Sequence, residues 1–271
     1  MTSAERLAPL AEADPAIFAD VSIVLTDIDD TLTSAGRLTA DAYVALEALD
    51  HAGFQVIPLT GRPAGWCDLI ARQWPVAGVV GENGALAYRY DRSGRRMTRL
   101  YQFSESRLLE NQAKLRVIGE RILTEIPGAA IAADQPFRLA DLAIDFSEDV
   151  APLSIDDVQR IVELFRAHGA TAKVSSIHVN GWFGDYDKLS MAKTLLAEGF
   201  GLALSSKNAV FVGDSPNDEP LFEAIPLSIG VANVLAFSEM LKHPPRFVTR
   251  ASGGAGFVEL AQKLLMAQTQ V

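Results

Sequence analysis

The chain has 271 residues, enough for one large domain or two ordinary ones, and its composition (49% hydrophobic, 21% charged) is that of a globular protein with a full core. A net charge of −10 disfavours nucleic acid or an anionic membrane as the main partner, although a bound cation can still bring in an anionic substrate. The one cysteine, Cys67, excludes an internal disulfide framework; following Trp66 in an apolar context, it reads as a structural thiol. The stretch 1–20 lacks the basic and apolar regions of a signal peptide, and no apolar run approaches the roughly 20 residues that span a bilayer, so a cytoplasmic protein is expected.

Residues 21–25 form a short apolar run rich in β-branched side chains, the signature of a buried strand, and the run ends in Asp27, Asp29 and Asp30. Three carboxylates in four residues repel one another unless a cation or hydrogen-bond donors lie close. Most such clusters serve their own loop's backbone; a calcium loop would need glycine where Leu32 stands. Thr39 can cap a helix with Ala42, Ala45, Leu46 and Leu49 on one face, ended by Gly53. A strand over 54–59 runs into Thr60-Gly61-Arg62-Pro63, with Pro63 suited to a helix's first turn, and a third strand over 76–80 ends at Gly81-Glu82-Asn83-Gly84. Strand, helix, strand, helix, strand means a parallel sheet with covering helices.

The pattern then changes. Segments 86–90 and 97–103 flank the turn Asp91-Arg92-Ser93-Gly94 as a hairpin. A long helix carries Leu108, Leu115, Ile118, Ile122 and Ile126; Leu142, Ile144 and Phe146 alternate as in a half-buried strand; Ser154 and Asp157 cap a further helix; and 171–179 reads as one strand. This block is α+β, so residues 85–185 are expected to be an inserted cap domain within a core made of 1–84 and 186–271. From Asp187 the first pattern resumes: a helix through Leu189, Ala192, Leu195 and Leu196, a strand over 209–212 ending in Gly213-Asp214-Ser215-Pro216-Asn217-Asp218, short strands over 227–231 and 246–249, and a closing helix over 254–266.

Four polar clusters of the α/β part thus sit at strand ends or helix starts: Asp27 to Thr31, Thr60-Gly61-Arg62, Lys188, and Gly213 to Asp218. Parallel strands bring their carboxyl ends to one sheet edge. Acidic groups from two strands can bind Mg²⁺ there, and Thr60, the Gly61 amide and Lys188 can supply donors to a phosphate. Singly, each cluster could be an ordinary turn, cap or solvated lysine.

The order Asp27-x-Asp29-Asp30-Thr31, Thr60-Gly61-Arg62, Lys188, Gly213-Asp214-x-x-Asn217-Asp218 resembles the haloacid dehalogenase-like (HAD) superfamily of phosphatases. The insertion between the second and third motifs, entered through Gly81-Glu82-Asn83-Gly84-Ala85, is similar to the type II α+β cap subfamily (Cof-type, sucrose-phosphatase-like and mannosyl-3-phosphoglycerate-phosphatase-like). The resemblance implies a Rossmann-like parallel-sheet core and a Mg²⁺-dependent phosphatase acting on a small phosphorylated metabolite, such as a sugar phosphate or phosphorylated sugar acid, through an aspartyl-phosphate. It makes Asp27 the nucleophile and Asp29 the acid/base. Thr60, Gly61, Lys188 and Asn217 become the phosphate ligands, and Asp27, Asp29 (through its carbonyl), Asp214 and Asp218 hold the metal. Asp30 replaces the family's usual glycine and receives no role. Arg62, Glu82, Asn83, His178 and Asn180 are candidate substrate contacts; Trp182 and Phe183 read as junction packing and His243 as surface. A sugar phosphomutase is the alternative, and a catalytically retired binding protein a more distant one. A monomer or small homo-oligomer is expected.

Overall fold

A computed structural model describes residues 7–175 and 177–268; the first six residues of the N-terminal stretch lie outside them. The chain begins with β1 (Ala8–Pro9), β2 (Ile23–Thr26), the small β3 (Thr33–Ser34) and β4 (Arg37–Leu38), α1 (Ala40–His51), β5 (Gln55–Pro58), α2 (Ala64–Gln73) and β6 (Val79–Gly81). There follow β7 (Leu86–Asp91), β8 (Arg96–Tyr101), α3 (Glu105–Glu125), β9 (Ala130–Ile131), β10 (Asp141–Asp145), α4 (Ile155–Ala167), β11 (Thr171–Val174) and β12 (His178–Trp182). The return is α5 (Lys188–Phe200), β13 (Ala209–Gly213), α6 (Glu219–Ala224), β14 (Ser228–Gly230), β15 (Phe247–Val248) and α7 (Gly253–Gln268).

The main sheet is parallel, in the order β1-β15-β14-β13-β2-β5. Because side chains alternate along a strand, β2 sends Val24 to a layer with Leu46, Phe257 and Leu260, and Ile23 and Leu25 to the opposite layer with Met191 and Leu195. Helices therefore cover both faces, and all four residues of β2 are buried. Helix α1 buries Ala42, Ala45, Leu46 and Leu49, as its periodicity requires, and Thr39 accepts the Ala42 amide as its cap. Cys67 is fully buried in the core. The edge strand β1, which has no hydrophobic run of its own, had no counterpart in the sequence reading.

A second sheet, in the order β11-β12-β10-β9, packs Leu142, Ile144 and Val179 against Ile118 and Ile122 of α3 and Ile161 and Phe165 of α4. Its other face carries Asp141, Asp145, His178 and Asn180. Two details differ from the sequence reading. The stretch 171–179 is two antiparallel strands, turned where the Ser175 hydroxyl accepts the His178 amide at 2.9 Å and the Ser175 amide donates to the His178 carbonyl at 2.8 Å. Strand β10 is buried on both faces, because Arg138 and Asn180 cover Asp141 while the amides of Ser147, Glu148 and Asp149 cover Asp145. The hairpin β7–β8, within the expected insertion, pairs with core strand β6 and places Leu86 and Tyr88 among core side chains. Among the described residues no helix is long and apolar enough to cross a membrane.

Candidate active site

The carboxyl ends of β2 and β13, adjacent in the sheet, meet the start of α5. Lys188 is the first residue of α5, fixed by reciprocal bonds between Asp187 and Ser190, so its side chain turns inward under the sheet edge. Its ammonium lies 2.6 Å from Asp27 Oδ1 and 3.4 Å from Asp218 Oδ1. Asp218 accepts the Asp214 amide at 3.1 Å, and Asp214 accepts the Thr31 hydroxyl at 3.0 Å and Asn233 Nδ2 at 3.1 Å. One oxygen each from Asp27, Asp214 and Asp218 lies within 4.8 Å of the others.

All four side chains are buried, and the charges do not balance. Burial pushes the Asp27 carboxyl up, with Lys188 pulling it partly back. Burial, then the charges of Asp218 and Asp27, push Asp214 up as well. Burial alone would lower the Lys188 ammonium, but Asp27 and Asp218 more than offset this and raise it. Three carboxylates against one ammonium leave an excess of negative charge in a dry place, and their donor set is all oxygen. These are the conditions a hard divalent cation satisfies.

The sheet edge next to β2 supplies the second cluster. Thr60 is fully buried, its hydroxyl accepting the Arg62 amide at 3.0 Å, and it stands behind the cavity rather than lining it. Gly61 does line it: a Cβ there would lie 3.3 Å from the Asn83 side-chain amide. Arg62 donates from Nε and Nη2 to the Asp29 carboxylate at 2.9–3.1 Å and from Nη1 to Glu148 at 3.1 Å, and stacks 4.5 Å from the Trp66 ring centre. The Asp29 side chain is thus held by Arg62, apart from the three clustered carboxylates.

The insertion closes over this edge. Arg138 donates to the Gly61 carbonyl at 2.8 Å and to Asp141, which also accepts from Asn180 at 3.0 Å. The buried His178 Nε2 lies 2.9 Å from Glu148 Oε2. The contact with His178, together with Arg62, holds the Glu148 carboxyl down at about 2. Asn83, one of three consecutive residues with positive φ (45°, 56° and 106° for 82–84), also has a buried, unpartnered Nδ2. Asp27, Asp29, Gly61, Arg62, Asn83, His178, Asn180, Lys188, Asp214 and Asn217 line one small cavity of about 30 Å³. Glu82 does not reach it: its carboxylate, pushed up to about 7 by burial and the charge of Asp141, accepts the amides of Ala64, Leu139, Ala140 and Asp141.

Arg138, Asp141, Glu148 and Asn233 were missed by the sequence reading. Each reaches the site from far along the chain, and none sits in a motif that marks it.

No family model matches the chain. It is 28% identical over 247 residues, 89% of this chain and 95% of the relative, to a phosphoglycolate phosphatase of Methanosarcina mazei. Its structure superposes on a haloacid dehalogenase-like hydrolase from Bacteroides thetaiotaomicron with a TM-score of 0.63 at 13% identity, covering 90% of this chain and 99% of the other. The sucrose-phosphatase of Synechocystis, solved with sucrose and phosphate, gives 0.59 at 14% identity over 90% and 98%. The chain therefore shares the fold of haloacid dehalogenase-like hydrolases of known structure, and the curated proteins it resembles along most of its length are phosphoglycolate phosphatases.

Proposed function

We propose that the protein is a magnesium-dependent phosphatase of small phosphorylated metabolites, built as a core that keeps the β7–β8 hairpin and a cap inserted between that hairpin and α5. The observation that carries this reading is the buried Asp27, in contact with Lys188 and clustered with Asp214 and Asp218. Asp27 Oδ attacks phosphorus, an aspartyl-phosphate bond forms, and the bond to the leaving alkoxide breaks as Asp29 delivers its proton to that oxygen. Asp29 then takes a proton from water, whose oxygen attacks phosphorus; the bond to Asp27 breaks and inorganic phosphate leaves. Lys188 and the Gly61 backbone hold the phosphoryl oxygens, with Thr60 and Asn217 supporting them, and Lys188 offsets repulsion between Asp27 and the incoming anion.

Asp27, Asp214 and the Asp29 carbonyl would hold the magnesium ion, with Asp218 ordering its water. Bound there, it supplies positive charge against the phosphoryl oxygens. The relatives' names support substrates from a two-carbon phosphorylated acid to sugar phosphates, a class in keeping with the donors Arg62, Asn83, His178 and Asn180 around the cavity.

The test is release of inorganic phosphate from a panel of phosphorylated metabolites with Mg²⁺, using Asp27→Asn as control. Activity in the wild type and its loss in the variant are expected. Turnover retained by Asp27→Asn would remove the nucleophile, and isomerised sugar phosphate without free phosphate would make the enzyme a mutase.

A further inference from the structure

Beside the catalytic cavity lies a second space of about 430 Å³, open to solvent between the β3–β4 turn, α2 and the 3-10 turn at Gln135–Phe137. Leu38, Trp66, Leu69 and Phe137 line it, and its inner end is formed by Asp29 and Arg62, the same two residues that border the catalytic cavity. Trp66, Leu69 and Phe137 are 43%, 50% and 57% exposed there, three large apolar side chains gathered at one mouth. Phe137 is seated on the core: a Cβ at Gly65 of α2 would lie 2.9 Å from its own Cβ, so only glycine lets the two elements approach this closely.

The catalytic cavity is the tighter of the two spaces, about 30 Å³ against about 430 Å³ on the same measure, so the bulk of a substrate finds more room in the cleft. On the mechanism proposed above, the leaving oxygen must meet the Asp29 carboxyl, so the remainder of the substrate extends past Asp29. The space that Asp29 and Arg62 share with the cavity is the apolar cleft. We infer that this cleft is the subsite for the alcohol part of the substrate, and that it takes a ring with an apolar face, laid against Trp66, Leu69 and Phe137. Such a face belongs to an aryl group or to a sugar ring; Arg62, already stacked on Trp66, marks the inner end.

This inference rests on the phosphatase reading, and the experiment separates the two. The full-length protein with Mg²⁺ is assayed on phenyl phosphate, glucose 6-phosphate and the ringless glycolate phosphate, alongside Leu69→Ala and Phe137→Ala. Neither side chain lines the catalytic cavity. In the wild type at least one ring substrate has a lower KM than glycolate phosphate, and each variant raises that KM by about tenfold with kcat falling much less. Phe137→Tyr restores it. Which ring substrate gains identifies the aryl or the sugar source. If glycolate phosphate is preferred, or the ring-to-ringless KM ratio is unchanged in both variants, the cleft is not the alcohol subsite while the phosphatase stands. If the wild type releases phosphate from ringless members of the metabolite panel but from no ring substrate, this inference falls alone; if it releases phosphate from no member of the panel and none of these three, the phosphatase reading falls and takes this inference with it.

Discussion

Replacing Lys188 by methionine tests the electrostatic design of the site without changing its shape greatly. The ammonium sits 2.6 Å from Asp27 and 3.4 Å from Asp218, both buried. At an effective dielectric of about 20 the closer contact alone is worth roughly 6 kcal/mol of gross attraction, part of which the ammonium's desolvation offsets. Removing one partner of a buried pair leaves the other uncompensated and costs about 3–5 kcal/mol, a large part of a typical stability of about 5–15 kcal/mol. The cost depends on pH. Burial already pushes Asp27 and Asp214 toward the protonated form, and without Lys188 they hold protons to still higher pH in the fold than in the unfolded chain. A folded state that binds more protons than the unfolded one loses stability as pH rises. Urea unfolding in EDTA should therefore show Lys188→Met close to wild type near pH 5.5 and well below it at pH 8. Mg²⁺ should recover part of the loss, because a ligand at a hundred times its Kd contributes about 2.7 kcal/mol. Equal midpoints for variant and wild type at pH 8 in EDTA would refute the account.

Three more outcomes follow from the geometry. Asn233 holds one Asp214 oxygen while donating to the Asp30 carbonyl, so Asn233→Ala should weaken the Mg²⁺ dependence of activity by about 10–100-fold; an unchanged half-saturating concentration would deny it that role. The Glu148 carboxyl lies at about 2 in the fold against an ordinary 4.5, so its contribution is complete above 4.5 and lost as pH falls toward 2. Glu148→Gln should flatten stability over that acid range and leave the profile from pH 5 to 8 unaltered. Gly84 has φ +106°, and a Cβ there would overlap the Asp187 carbonyl, so Gly84→Ala should cost about 2–4 kcal/mol in urea unfolding; a loss below about 1 kcal/mol would mean the two segments separate easily.

Much of the core was legible because local and global signals agree there. The β-branched run before Asp27, the spacing of Ala42, Leu46 and Leu49, and the helix through Leu189, Ala192, Leu195 and Leu196 each state their own structure. The hairpin at 86–101 announced its turn but not its neighbour: whether β7 joins β6 or the cap sheet depends on which apolar surface is left to cover, and that is a property of the whole fold. The alternation of His178 and Asn180 put both on one face, and the structure places both at the cavity. Glu82 looked like a substrate contact for its position near a strand end, yet four backbone amides claim its carboxylate. Arg138 and Asp141 were invisible for the converse reason, since a charged pair spanning a loop and a strand start reads as solvated until packing removes the water.

Phe103 and Tyr186, on the chain's way out to the second sheet and back, face each other with ring centres 6.0 Å apart, and Gly184 lies against the Phe103 ring. The excursion therefore begins and ends at nearly one point. To the rest of the chain it is a closed loop whose length barely matters, because ends already in contact add only a slowly growing entropy cost as the loop lengthens. A different segment spliced between these two aromatic residues would meet no penalty at its ends, but it would have to supply new donors for the buried Glu82 carboxylate and the Gly61 carbonyl, which Leu139, Ala140, Asp141 and Arg138 now provide.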